Sequence, residues 1–135
     1  ASKVIFMKRE NTLDRFISLL MSRKYGYRAK YGDEPVEIDG DKLDKYFVKC
    51  PINEAKRLEY FQTYSKGVMT TVYEEILADK KKAMQEIFDF LCVPYEDVEA
   101  GTERQRSTTQ REMVSNYDEL KERFKNSPYA QFFTA

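Results

Sequence analysis

Histidine is absent from the 135-residue sequence. The chain by itself therefore cannot supply a histidine general base, a histidine metal site or a serine–histidine triad. The two cysteines, Cys50 and Cys92, are far apart and form no Cys-x-x-Cys pair. Neither a disulfide framework nor a paired set of metal ligands is expected from them. These absences exclude several classes of active site, predict no metal ion and favour a reducing, cytoplasmic location.

Long apolar runs and an excess of one charge are also missing. No apolar run approaches the roughly 20 residues of a transmembrane helix, and the apolar part of the N-terminal segment is too short for a signal peptide. Lysine and arginine together number 23, as do aspartate and glutamate, which argues against a globally basic nucleic-acid-binding protein. We therefore expect neither a membrane nor a nucleic acid among the partners.

The composition is nevertheless that of a folded protein. Hydrophobic residues make up 41% of the chain and aromatic residues 14%, which is enough to build a core. A length of 135 residues is typical of one domain, so we treat residues 1–135 as a single domain.

Two segments have the pattern of β-strands. Val4–Met7 is a short continuous apolar run between lysines, which predicts a strand buried on both faces, as in a parallel sheet. Val68–Tyr73 is rich in β-branched residues and follows a glycine. Most of the remaining chain has helical periodicity, so the predicted fold class is α/β and helix-rich with few parallel strands.

Capping residues and apolar stripes mark the predicted helices. Helices are expected after Asn11-Thr12, at Pro51, after Asp79 and after the capping box Thr109–Glu112, with a short aromatic turn at Pro128–Phe133.

Charge is unevenly distributed along the chain. Residues 1–31 hold eight basic and two acidic side chains, a net charge of +6, whereas residues 33–45 hold two basic and six acidic ones, a net charge of −4. The acidic segment is interpreted as a solvated loop.

In the basic segment, Arg9 follows the first predicted strand and a helix containing Ser18 begins soon after. Strand ends that precede helices are where open α/β folds bind phosphate. Taken alone, however, the pattern is better explained by a surface arginine and a helix serine without a binding role.

Three blocks of the sequence resemble sulfotransferases that use 3′-phosphoadenosine 5′-phosphosulfate (PAPS). KVIFMKRENTLDRFISLL is similar to the segment that binds the 3′-phosphate, in which a strand ends in Arg and a Ser follows on the next helix. TTVYEEILADKKKAMQEIFDFLCVP resembles the strand–Tyr–Glu segment and the "FLGVP" helix end, with Cys92 in place of the usual glycine. ERQRSTTQREMVSNYDELKERFKNSPYAQFF resembles the C-terminal "Gln…Asn-Tyr-Glu-Glu-Leu…Tyr…Phe" stretch of bacterial members. The spacing of Arg9 and Ser18 is closer to the bacterial nodulation- and trehalose-type branch.

The resemblance implies specific roles for residues of this chain. Arg9 and Ser18 would hold the 3′-phosphate, and Tyr73 would contact adenine, with core packing as its alternative role. The Glu103–Thr109 loop would close over the nucleotide. The implied cofactor-binding residues are Arg9, Ser18, Tyr73, Arg104 and Arg106.

Two parts of the sulfotransferase pattern have no counterpart in the sequence. No glycine opens a Ser/Thr-bearing loop that would hold the 5′-phosphosulfate, and no acceptor-side general base is identifiable. The chain therefore resembles the C-terminal half of a P-loop-like sulfotransferase fold, an incomplete domain that is a fragment, a truncated reading frame or a natural half-protein. We assign no catalytic residue and do not expect activity from this chain alone.

The expected function is PAPS binding for sulfuryl transfer to a hydroxyl acceptor, either a small molecule or a glycan. The alternative is a non-catalytic helical interaction module completed by oligomerisation. The expected macromolecular partner is accordingly a missing N-terminal half or a second copy of the chain.

Overall fold

The computed structural model describes residues 2–26, 34–64, 66–97 and 109–134. The elements in chain order are β1 (Lys3–Lys8), α1 (Thr12–Tyr25), α2 (Gly40–Tyr64), β2 (Gly67–Val72), α3 (Tyr73–Ala78), α4 (Lys80–Phe90), α5 (Gln110–Met113), α6 (Tyr117–Phe124) and a 3₁₀ helix (Pro128–Phe132).

The chain forms two compact units. The sheet unit comprises Ala1–Glu10 and Pro51–Gly101, and the core unit comprises Asn11–Cys50 and Thr102–Ala135. Helix α2 contributes its first part to the core unit and the remainder to the sheet unit. The predicted helix-rich α/β class is confirmed. No helix in the described ranges is both long enough and apolar enough to cross a bilayer.

The sheet unit contains both predicted strands. β1 and β2 pair in parallel, in a register that runs from Lys3 opposite Gly67 to Lys8 opposite Val72. β2 ends one residue earlier than the sequence predicts, because Tyr73 already belongs to α3. Helix α4 begins where expected, and the Asp79 side chain accepts a hydrogen bond from a backbone N–H of its first turn.

The prediction that β1 is buried on both faces is wrong. Ile5 is 37% exposed and Met7 57% exposed, whereas the alternate residues Val4 and Phe6 are half-buried. Successive side chains of a strand point to opposite faces, so one face of β1 is more open than the other. In the part of the chain that the structure describes, β2 is the one strand paired with β1.

The core unit is held together by a hydrophobic cluster. Its thirteen buried members are Leu13, Phe16, Ile17, Met21, Ile38, Leu43, Phe47, Met113, Val114, Tyr117, Leu120, Phe124 and Phe133. Helix α1 supplies the first four, at the helical spacing predicted from the sequence. The Asn11 side chain accepts a hydrogen bond from the Asp14 N–H and so caps α1 as predicted.

The prediction of a helix that begins at Pro51 is wrong. Helix α2 begins at Gly40 and contains Pro51 in its interior. The prediction of a loop over residues 33–45 is therefore also wrong from residue 40 onwards. The Asp39 carboxylate accepts hydrogen bonds from the first backbone N–H groups of α2, while Leu43 and Phe47, four residues apart, pack into the core.

The C-terminal region confirms the predicted capping box. The Thr109 hydroxyl accepts from the Glu112 N–H, and the Glu112 carboxylate accepts from the Thr109 N–H. The apolar stripe that follows is buried as predicted, but it lies on two short helices, α5 and α6, instead of one. The aromatic tail forms the 3₁₀ helix and packs Tyr129 and Phe132 against the core.

Candidate functional site

Strand register brings two of the predicted site residues together. Lys8 and Val72 are the last paired residues of the parallel strands, so Arg9 and Tyr73 follow at the same edge of the sheet. The Arg9 guanidinium carbon lies 4.4 Å from the centroid of the Tyr73 ring, which is within cation–π range. Residues that lie 64 positions apart in sequence are thus in contact at the carboxyl ends of the strands.

Glu74 completes this group. Its Oε1 lies 3.9 Å from the Arg9 Nε, and its Oε2 accepts a hydrogen bond of 3.0 Å from the Glu10 backbone N–H. One carboxylate therefore contacts both residues that follow β1. The Arg9 side chain is 19% exposed, and its Nε is buried.

The chemistry of this cluster suits a phosphorylated aromatic ligand. The guanidinium fork matches the geometry of phosphate oxygens, and the carboxyl edge of parallel strands is where open α/β sheets bind ligands. The Arg9 guanidinium lies over the Tyr73 ring, and Tyr73 is half-buried. Arginine and an aromatic ring, the residue types in contact at this edge, are able to pair with phosphate and to pack against a base.

Three further residues were predicted to belong to the site, Ser18, Arg104 and Arg106. Ser18 is half-buried on α1 and belongs to the core unit. Arg104 and Arg106 lie outside the described residues. That these three residues, or Arg9 and Tyr73, bind the cofactor remains a prediction.

A cleft of about 490 Å³ also lies in the sheet unit. Its lining comprises Thr71, Glu75, Ala78, Asp79, Lys82, Ala83 and Glu86. Three carboxylates and one ammonium disfavour a bisphosphate there by like-charge repulsion. The anion-binding candidate is therefore the Arg9 cluster and not this cleft.

Comparison with known proteins shows a similarity to nodulation proteins. The chain is similar to nodulation protein H of Rhizobium meliloti strain 1021. The two are 28% identical over an alignment of 139 residues, which covers 97% of this chain and 56% of that protein. A second nodulation protein H from Rhizobium meliloti is 27% identical with the same coverage. The predicted resemblance to the nodulation-type branch is thereby confirmed.

The chain spans about half the length of these nodulation proteins, in agreement with the predicted correspondence to one half of such a protein. No protein-family model matches the chain. No solved structure matches it either.

Two polar residues of the third sequence block have structural roles. Gln110 is 5% exposed and makes four hydrogen bonds: its amide donates to Asp14 and to the Phe132 carbonyl, and its oxygen accepts from the Tyr117 hydroxyl and the Thr134 N–H. This bonding fully satisfies the buried amide.

The side-chain amide of Asn116 forms hydrogen bonds with the backbone of Ile38, shortly before α2. Its side chain accepts from the Ile38 N–H at 3.0 Å and donates to the Ile38 carbonyl at 2.7 Å. The amide thereby satisfies both backbone polar groups of Ile38, as a paired β-strand would. The Gln and Asn of the block thus stabilise the core unit.

Glu74 is the residue of this cluster that the sequence did not single out. The sequence shows only that it follows Tyr73 at the end of a strand. That its carboxylate reaches Arg9 and Glu10 depends on how the strands pair, which the sequence does not show.

Proposed function

We propose that this chain is the nucleotide-anchoring half of a sulfotransferase-like protein that binds PAPS for sulfuryl transfer to a hydroxyl acceptor. The contact between Arg9 and Tyr73 carries the proposal, because two residues assigned separately to one nucleotide meet at the carboxyl edge of the sheet. The similarity to nodulation protein H over nearly the whole chain also supports it.

The proposed roles follow from the side-chain chemistry. Arg9 pairs with the 3′-phosphate and Ser18 donates a hydroxyl hydrogen bond to it. Tyr73 packs against adenine, while Arg104 and Arg106 reach phosphate from the Glu103–Thr109 loop. We further propose that residues 1–135 form one incomplete domain of a P-loop-like fold.

PAPS supplies an activated sulfuryl group. In its transfer, the acceptor oxygen bonds to sulfur while the bond from sulfur to the bridging phosphate oxygen breaks, and the acceptor proton passes to a base. Binding and orientation contribute much of the acceleration in such transfers. The proposed contribution of this chain is to hold the nucleotide, and the base and the 5′-phosphosulfate loop belong to the remainder of the protein.

The proposed acceptor is a hydroxyl of a small molecule or a glycan, and the proposed location is the cytoplasm. The remaining partner is the other half of the protein or a second copy of the chain. The open β1 residues Ile5 and Met7 are the observation that keeps the alternative of an oligomerising interaction module in consideration. A dimer by light scattering with no nucleotide binding would favour that alternative.

Nucleotide binding tests the proposal. Adenosine 3′,5′-bisphosphate (PAP) at 100 times its dissociation constant stabilises the folded chain by about 2.7 kcal/mol, which thermal unfolding detects. Loss of a charge-assisted phosphate contact in Arg9→Ala is expected to weaken PAP binding by about 10- to 100-fold. Adenosine 5′-monophosphate, which lacks the 3′-phosphate, is expected to bind wild type and Arg9→Ala alike.

Lys8→Ala is the matched control, because it removes the same charge one residue earlier from an exposed side chain. It is expected to change PAP affinity only slightly. Absence of PAP binding to wild type at millimolar concentration, or equal losses in Arg9→Ala and Lys8→Ala, would contradict the proposal.

A further inference from the structure

Glu74 is placed to control the orientation of Arg9. Its two carboxylate oxygens face different partners, the Arg9 Nε at 3.9 Å and the Glu10 backbone N–H at 3.0 Å. The Glu10 contact fixes the carboxylate against the chain that follows β1. The Arg9 guanidinium therefore lies near both an anchored carboxylate and the ring of Tyr73, the residue next to Glu74.

Two consequences of this arrangement oppose each other. A carboxylate beside the guanidinium repels any phosphate that approaches, so its charge by itself weakens anion binding. A free arginine side chain loses rotamer entropy when a ligand fixes it, and holding it in place beforehand lowers that cost. The Coulomb effect predicts tighter phosphate binding when the charge of Glu74 is removed, whereas the orientation effect predicts weaker binding.

Solvent exposure indicates which effect is larger. The Glu74 side chain is 33% exposed, so water screens its repulsion of a phosphate. The Arg9 side chain is 19% exposed and its guanidinium faces the Tyr73 ring, so its orientation depends on the immediate contacts.

We propose that Glu74 is a positioning residue that holds Arg9 in its phosphate-binding orientation. This inference rests on the proposed function, since it concerns the same nucleotide phosphate. Glu74 acts through Arg9 and does not touch the ligand. Its removal therefore weakens binding even though a negative charge disappears from the site.

The test is calorimetric titration of PAP into wild type, Glu74→Gln and Glu75→Gln. Glu74→Gln is expected to bind PAP about 3- to 10-fold more weakly. Glu75→Gln removes the same charge from the neighbouring residue, which lines the acidic cleft instead, and is expected to bind as wild type or slightly more tightly. Binding by Glu74→Gln that equals or exceeds that of wild type would overturn the inference.

A double-mutant comparison separates positioning from a general structural role. If Glu74 acts through Arg9, Glu74→Gln causes no further loss of affinity in an Arg9→Ala background. An equal loss in both backgrounds would assign Glu74 a merely structural role and overturn the inference. If Glu74→Gln unfolds at the temperature of measurement, Glu74→Asp replaces it. Aspartate keeps the charge on a side chain too short for both contacts, and weaker binding is again expected.

The same titrations separate this inference from the proposed function. Wild type that does not bind PAP contradicts the proposed function itself. Wild type that binds through Arg9, together with an unchanged Glu74→Gln, contradicts the positioning role alone.

Discussion

The two units of the molecule differ in how much they bury. The core unit encloses thirteen hydrophobic side chains in one cluster, whereas in the described part of the sheet unit only Thr71 and Ala83 are buried to a comparable degree. Full burial of a large apolar side chain contributes about 1.5–3 kcal/mol, so the core unit supplies most of the hydrophobic stabilisation. The Arg9–Tyr73 contact, in turn, lies in the sheet unit.

This difference separates stability from the candidate site. A parallel sheet is normally covered on both faces, and two strands alone rarely form a stable sheet. The sheet unit therefore carries the candidate residues Arg9 and Tyr73 on a thinly packed scaffold. The core unit is well packed but does not contain these residues. Substitutions in the core unit are expected to change folding free energy most, and those at the sheet edge to change affinity most.

The largest expected effect on stability is that of Phe47→Ala. Phe47 is 1% exposed, and its ring centroid lies 4.7 Å from that of Tyr129 and 5.2 Å from that of Phe124. The resulting cavity is expected to lower the free energy of unfolding by about 3–5 kcal/mol, as measured by urea denaturation. Met7→Ala, at a 57% exposed position of the sheet unit, is expected to change it by less than about 0.5 kcal/mol. Equal losses would mean that Met7 is covered in solution and would remove the contrast between the units.

An intermediate effect is expected for Gln110→Leu. Leucine keeps the bulk but leaves four hydrogen-bonding partners of the amide without it, at a cost of about 2–3 kcal/mol in unfolding free energy. Gln131→Leu is the control, because Gln131 is exposed and, among the residues that the structure describes, its side chain bonds only to the nearby Pro128 carbonyl. If urea denaturation shows equal losses of unfolding free energy in both variants, the hydrogen bonds of the buried amide do not stabilise the core unit.

The smallest effect is expected at the exposed edge of the core unit. The Arg123 guanidinium donates a hydrogen bond of 2.7 Å to Asp41, and this bond, together with the charge of Arg123, holds the pKa of the Asp41 carboxyl below its ordinary value of 3.8. A lowered pKa in the folded state stabilises the fold above pH 3.8, and the contribution is lost as the pH falls through the folded value.

Asp41→Asn is therefore expected to lower the melting temperature slightly at pH 7. The difference should vanish well below pH 3.8 and shrink in high salt, because both groups are exposed. Asp44→Asn, which removes the same charge from the same helix, is the control and is expected to lower the melting temperature at pH 7 by less. A loss at pH 7 as large as that of Gln110→Leu would show that surface charge, and not burial, sets the stability of the core unit.

Local signals predicted much of the secondary structure. The Asn11 and Asp79 caps and the Thr109–Glu112 capping box lie where the sequence indicated, because each satisfies the free N–H groups of a helix start within three residues. The start of α2 was missed because its acidic composition resembled a solvated loop. Asp39 as a cap and the spacing of Leu43 and Phe47 were the signals that outweighed it.

The candidate site was predictable only as separate residues. Arg9 and Tyr73 were each singled out from a sequence block, but their contact follows from the register of β1 and β2. The contacts of Glu74 depend on the same register, since its carboxylate accepts a hydrogen bond from the Glu10 backbone N–H, 64 positions away. Interactions between distant segments leave no periodic trace in either one.

The sequence by itself determined the helix caps, the two strands, the buried stripes of α1 and α6 and the resemblance to the nodulation-type branch. These features depend on neighbouring residues, whose hydrogen bonds and apolar spacing act within a few positions. Only the tertiary structure decided that one face of β1 is more open than the other and that Gln110 and Asn116 stabilise the core unit through hydrogen bonds. It also decided that the Glu74 carboxylate lies beside Arg9. Burial and long-range contacts depend on which segments pair in space, and one-dimensional patterning does not specify that pairing.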